Sequence, residues 1–213
     1  MKLPIMLAWL IASLLTIPSG QQEPAAPNEK QIRDWVEQLA NVLPPRTFRS
    51  PSDRLTRKER ESLVAVQEAY EALTKHFLAS LPVLVEHLDD SRFSYPSEHP
   101  SSGVFGNRDV GDACRSIIQR KLLLYNPTFI DNRDIAVGVY LSWDKAWYDR
   151  VKDMSLFEMQ LDSLDRLAAQ PKPGRIAQED WNEAMKELKE FRTKFAESGK
   201  PRDVVFSPMI EGK

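Results

Sequence analysis

The chain has 213 residues, a formal net charge of −2 and 42% hydrophobic residues. This composition is enough to bury the core of one domain of ordinary size, and it excludes a disordered polar chain. The near-neutral charge gives no support to a general nucleic-acid binder, which would need a basic surface.

The first part of the chain has the three-part pattern of a secretory signal peptide. Lys2 precedes an apolar run from Leu3 to Ile17, and small residues follow. Because this run is short for a membrane span, we expect export with cleavage after Ser19; an uncleaved N-terminal anchor is the alternative. The single cysteine can form no internal disulfide, which favours a secreted or periplasmic protein of the bacterial envelope over a small disulfide-rich one.

The pattern of prolines and apolar residues divides the chain into four parts. We expect a signal peptide at 1–20, a flexible spacer at 21–28, a single helical domain at 29–198 and a C-terminal tail at 199–213.

Helical spacing of apolar residues begins directly after the spacer. It predicts a helix over 29–43, with Asn28 as its N-cap. Thr56 can cap a long second helix that runs through Ser80, where Pro82 should break it and open a short third helix to Leu88.

Residues 91–108 form the longest stretch without a regular period and are predicted to be a loop. Its aromatic residues Phe93, Tyr95 and Phe105 indicate that it packs down in part. Asp109, with Asp112 three positions later, is a plausible cap for a helix that ends at Leu124 or Tyr125.

Residues 128–141 are compatible with either a strand or a helix, and we favour a helix because no second clear strand exists to pair with it. Helical periodicity then returns over 143–151, 155–169 and 178–197. The sum predicts an all-α fold, an irregular multi-helix bundle of six to seven helices.

Cys114 and the three histidines are the first candidates for chemistry. Cys114 shares a predicted helix face with apolar residues, so we favour a buried hydrophobe over a nucleophile. The spacing of His76, His87 and His99 places no two of them together as metal ligands on one helix face. We therefore expect no metal and no cofactor.

Aromatic and acidic residues offer two further interpretations. Tyr140, Trp143, Trp147 and Tyr148 have helical spacing that favours the core over an exposed sugar-binding patch. Carboxylates at Glu86, Asp90 and Glu98 would support an alternative function, a cell-wall glycan hydrolase, if they faced each other across a cleft. A simpler role for Asp89 or Asp90 is to fix, with Arg92, the entry to the loop.

The stretch LPVLVEHLDD (81–90) resembles the second helix of a HEAT-type repeat, in which a proline opens a leucine-rich helix that ends at an aspartate. The later VGDACRSIIQRKL (110–122) is similar to the start of the next helix in such arrays. The resemblance covers residues 81–125 and implies a fold that is HEAT-like in part and offers a binding surface. LVEHLDDSRFS and VGDACRSII, together with the leader, also resemble uncharacterised exported bacterial proteins.

Together these features favour a non-catalytic binding protein of the envelope. Its partner should be another protein or an envelope polymer, and we expect no nucleic acid as a partner. The membrane should be involved only if the signal peptide stays uncleaved. The candidate binding residues lie in and beside the 91–108 loop: Asp89, Asp90, Arg92, Tyr95, His99 and Phe105.

Overall fold

The computed structural model describes residues 26–41, 56–98, 105–125, 128–130, 136–138, 141–174 and 176–203. Within these residues it contains seven helices and two small antiparallel sheets of two strands each. The predicted all-α, multi-helix fold is therefore confirmed. The predicted signal peptide and most of the predicted spacer and tail lie outside the described residues.

The helices, in chain order, are α1 (Glu29–Leu39), α2 (Arg57–Lys75), α3 (Phe77–Glu86), α4 (Val110–Leu122), α5 (Lys145–Val151), α6 (Leu156–Ala168) and α7 (Gln178–Ser198). The strands are β1 (Phe93–Glu98), β2 (Phe105–Asp109), β3 (Thr128–Ile130) and β4 (Ala136–Gly138).

Side-chain caps fix the starts of several helices, and those at Asn28, Thr56 and Asp109 are predicted from the sequence. Asn28 accepts a hydrogen bond from Gln31 N, and Asp109 accepts one from Asp112 N. Thr56 and Ser155 each form a reciprocal capping box with the glutamate three residues later. These bonds satisfy backbone N–H groups that have no partner inside the helix.

The break between α2 and α3 lies at His76, so the predicted break at Pro82 is wrong. His76 has φ −103° and ψ 37°, whereas Pro82 lies inside α3. Pro82 has no N–H to donate to the carbonyl of Leu78, a residue on the solvent side that is 51% exposed. The Thr74 hydroxyl donates to Tyr70 O just before the break, a contact that commonly bends helices.

Part of the predicted loop at 91–108 is a β-hairpin, so the loop prediction is wrong for these residues. β1 pairs with β2 in antiparallel register, with Phe93 opposite Asp109 and Glu98 opposite Phe105. Aromatic residues alternating with small ones suit a strand. Pro96 is tolerated because both strands of a two-stranded ribbon are edge strands.

The favoured helix at 128–141 is also wrong, because β3 pairs with β4. Thr128 lies opposite Gly138, and Ile130 lies opposite Ala136. β-Branched residues such as Val137 favour a strand. The partner strand is β3, which precedes β4 in the same segment.

One core joins the helices. α1 packs against α2 and α3, α3 against α4 and α5, α4 against α6, and α6 against α7. Its largest fully buried side chains are Tyr70, Phe195, Leu39, Leu73, Leu81, Leu84, Ile117, Ile118, Leu122, Leu164, Leu167 and Leu188. Burying one such side chain is worth about 1.5–3 kcal/mol. None of the described helices is long and apolar enough to cross a membrane.

The aromatic group around α5 belongs mainly to this core. Trp143 and Trp147 are 6% and 4% exposed and meet edge to face, with ring centroids 4.8 Å apart. The core interpretation is confirmed for both residues. Tyr148 is half-buried against the core, and Tyr140 lies outside the described residues.

Candidate functional site

The base of the β1–β2 hairpin is the candidate site, because four of the predicted binding residues lie in or beside it. The chain enters the hairpin from the end of α3 and leaves it directly into α4. Two backbone hydrogen bonds join entry and exit: Val110 N donates to Arg92 O, and Gly111 N donates to Asp90 O, both at 2.9 Å. A third bond, from Asn41 N to Phe93 O at 2.7 Å, ties the entry to the segment after α1.

The Asp90 carboxylate is the centre of the polar contacts at this base. It accepts hydrogen bonds from Arg92 N at 3.1 Å, from Arg92 Nη2 at 2.6 Å and from His87 Nδ1 at 3.1 Å. Its side chain is only 12% exposed. The neighbouring Arg92 guanidinium holds the pKa of Asp90 well below its usual range, because the hydrogen bonds favour the ionised form.

Arg92 connects this base to α1. Its Nη1 and Nη2 donate to the two carboxylate oxygens of Glu37, at 2.6 Å and 3.2 Å. The two carboxylates raise the pKa of Arg92, and Arg92 lowers the pKa of Glu37. A planar guanidinium that meets carboxylates in this forked geometry has a fixed orientation. The expectation that Asp90 and Arg92 fix the entry to this segment is confirmed.

A close backbone contact supports the other side of the base. A Cβ atom placed on Gly111 would lie 2.2 Å from Leu88 O, so only glycine fits there. Arg115 Nη2 donates to the same carbonyl, and Arg115 Nη1 lies 3.4 Å from Asp112. The first turn of α4 therefore rests directly on the end of α3.

Tyr95 is part of the packing under the hairpin. It is half-buried against the core, and this burial raises its pKa to about 12. Nearby, Tyr70 OH and Ser116 Oγ share a hydrogen bond of 2.9 Å, and Arg120 lies over the Tyr70 ring. These two contacts join α2 to α4, and the hairpin packs against both helices.

The remaining predicted site residues are distributed differently. The Asp89 side chain is fully exposed, with its oxygen 3.6 Å from Arg115 Nη2. Phe105 occupies the first position of β2, and His99 lies outside the described residues. The structure thus brings Asp90 and Arg92 into contact, with Asp89 and Tyr95 on the same hairpin base.

The structure describes the surroundings of Cys114, Glu86 and Asp90, three of the candidates for catalysis, whereas the Glu98 side chain lies outside the described ones. Cys114 is buried, and burial raises its pKa to about 12, which opposes thiolate formation; the buried-hydrophobe interpretation is confirmed. Glu86 forms an ion pair with Arg33 at 2.8 Å. The lowered pKa of Asp90 is opposite to what a general acid needs.

The two histidines in the described part of the chain, His76 and His87, have separate partners. His76 stacks on Trp35 with ring centroids 5.7 Å apart, whereas His87 bonds to Asp90. Among the described residues, no three His, Cys, Asp or Glu side chains are grouped so that they could hold a metal ion.

Glu37, Gly111 and Arg115 are parts of the base that are not among the residues predicted from the sequence. Gly111 gives a local signal, because a glycine in the first turn of a predicted helix requires a packing reason. Glu37 gives none, since it lies 55 residues from Arg92 on an ordinary charged helix face.

Comparison of the chain with protein-family models, with curated proteins and with solved structures gives no match.

Proposed function

We propose that the protein is an exported, non-catalytic binding protein of the bacterial envelope that recognises its partner with the β1–β2 hairpin and the adjoining helix ends. The observation that supports this most is the braced base of the hairpin. Asp90, Arg92 and Glu37 join the α3–β1 connection to α1 there, and Gly111 places α4 against Leu88 O. Binding segments are commonly loops or turns positioned by a rigid scaffold, because a fixed base lowers the entropy lost on binding.

The charges around the base favour a protein partner over a uniformly anionic polymer. Exposed acidic and basic groups alternate there, with Asp89 near Arg115 and Arg108 near Asp112. Mixed charges of this kind suit a partner surface that carries both signs, and they contribute mainly to specificity and association rate.

Replacing residues 99–104 by the two-residue turn Asn-Gly tests the hairpin directly. This change keeps the strand pairs from Phe93 to Phe105, and a two-residue Asn-Gly turn matches the twist of a hairpin. We expect the variant to unfold at the same temperature as the wild type but to capture no partner from an envelope extract. Arg108→Glu should weaken capture, whereas Lys145→Glu, an exposed change on α5, should leave it unchanged. Equal capture by the shortened hairpin would contradict the proposal.

Export is the second part of the proposal, is supported by the signal-peptide pattern of the first segment, and has its own test. The mature protein should be found outside the cytoplasm with Gly20 as its first residue, if cleavage follows Ser19. N-terminal sequencing after cell fractionation measures both features. Recovery in the cytoplasm with Lys2 retained would contradict the proposed localisation.

A further inference from the structure

Residues 199–203, which we call the strap, pass from the end of α7 onto α4 and α6. Gly199 ends α7 with a left-handed φ of 61°. In the described residues the strap is held through side chains, without a backbone–backbone hydrogen bond that involves residues 200–203. Its partners are Ser198, Gln160 and Lys121.

Gln160 recognises the backbone of one strap residue at two points. Its Nε2 donates to Arg202 O at 2.8 Å, and its Oε1 accepts from Arg202 N at 3.0 Å. A second N–H of the same amide donates to Lys121 O at 2.8 Å. Gln160 is fully buried, so its amide would be costly to leave without partners. The Gln160 amide thus pairs with the backbone N–H and C=O of Arg202 as a residue on a neighbouring β-strand would.

Two subsites receive the side chains of the strap. The Arg202 guanidinium carbon lies 5.1 Å from the ring centroid of Phe191 and 5.9 Å from that of Phe195, within the range of cation–π attraction. The next residue, Asp203, accepts from Lys121 Nζ at 3.1 Å. The Lys121 side chain is 11% exposed, whereas that of Asp203 is 88% exposed. The largely buried Lys121 ammonium group therefore pairs with the exposed carboxylate of Asp203.

We infer that this surface of α4, α6 and α7 is a peptide-recognition site for an extended segment in which an arginine precedes an acidic residue. The strap is the occupant supplied by the chain itself, and it competes with a partner segment of the same chemistry. Gln160 reads the backbone, the two phenylalanines receive the arginine, and Lys121 selects the acidic side chain. Tethering gives the strap an effective concentration on the order of 1 mM, so a partner has to bind more tightly than the strap does.

The test uses the full chain with the double change Arg202→Ala and Asp203→Asn, which removes the guanidinium and the negative charge that hold the strap. The probe is a fluorescein-labelled peptide, Gly-Lys-Pro-Arg-Asp-Val-Val, which has the sequence of residues 199–205. Fluorescence anisotropy should show saturable binding to this variant that is at least tenfold tighter than binding to the wild type. A peptide with the same two changes should bind at least tenfold more weakly.

Further changes in the double variant test each subsite. Lys121→Met should abolish the preference for the acidic peptide, and Phe191→Leu should abolish the preference for arginine. Circular dichroism and the unfolding temperature monitor folding, and either of these two changes can serve if the other does not fold. No binding by the folded double variant, or equal binding of the altered peptide, would overturn the inference.

Discussion

The contact between Gly111 and Leu88 predicts that Gly111→Ala destabilises the protein, whereas helix propensity alone predicts that it stabilises the protein. In the first turn of α4, replacing glycine by alanine should stabilise an otherwise unconstrained helix by up to about 1 kcal/mol. In this structure the new Cβ would lie 2.2 Å from Leu88 O and 2.9 Å from Leu88 C. These are backbone atoms, so α4 must move away from the end of α3.

The expected magnitude follows from what this movement disrupts. It weakens the bond from Gly111 N to Asp90 O and the bond from Arg115 Nη2 to Leu88 O, each worth about 0.5–1.5 kcal/mol. The close contact adds about 1–3 kcal/mol, as overpacked substitutions do. After subtraction of the propensity gain, we expect Gly111→Ala to lower the free energy of unfolding by about 3 kcal/mol.

Urea unfolding monitored by circular dichroism at the helical band measures this difference. Gly174→Ala is the matched control, because a Cβ at Gly174 would meet nothing within 4 Å. We expect the control to unfold at or slightly above the wild-type midpoint. A Gly111→Ala variant as stable as the wild type would refute the steric argument for the base of the hairpin.

Three further predictions use other contacts. The folded-state pKa of Asp90 is depressed, so its ionised form stabilises the protein above the unfolded pKa of about 4. Asp90→Asn should therefore lower the free energy of unfolding by about 2 kcal/mol at pH 7. In urea unfolding, the difference in stability between wild type and variant should shrink as the pH falls below about 4. A constant difference down to pH 2 would contradict this. Cys114 should react with a thiol reagent at pH 8 only after unfolding, and rapid labelling of the native protein would contradict its burial. Ser155→Ala removes a capping box and should cost about 1 kcal/mol in the same urea assay, whereas an unchanged midpoint would show that the cap contributes nothing.

Features that depend on neighbours in the sequence could be predicted. The caps at Asn28, Thr56 and Asp109 each span three residues, so the residue types alone identify them. The apolar spacing in α1 and α7 similarly gives their buried faces, because it follows the helical repeat.

Features that depend on distant pairing could not be predicted. The strand partners β1 and β2 become recognisable only when Phe93 lies opposite Asp109. Arg92 meets Glu37 across 55 residues, and Lys121 meets Asp203 across 82. The periodic pattern marks Glu37, Lys121 and Asp203 as ordinary charged positions, since single charges on helices and loops are usually solvated. The break at His76 was missed for a related reason: the position of Pro82 suggested a local stop, whereas the helix there loses only one hydrogen bond.

Site-specific photo-crosslinking in the native host tests the central claim, recognition by a braced hairpin, most directly. A photoreactive amino acid at position 107, an exposed position in β2, is compared with one at position 179, an exposed position in the first turn of α7. We predict one discrete adduct of higher mass from position 107 outside the cytoplasm and none from position 179. Adducts of equal yield from both positions, or none from position 107, would contradict it.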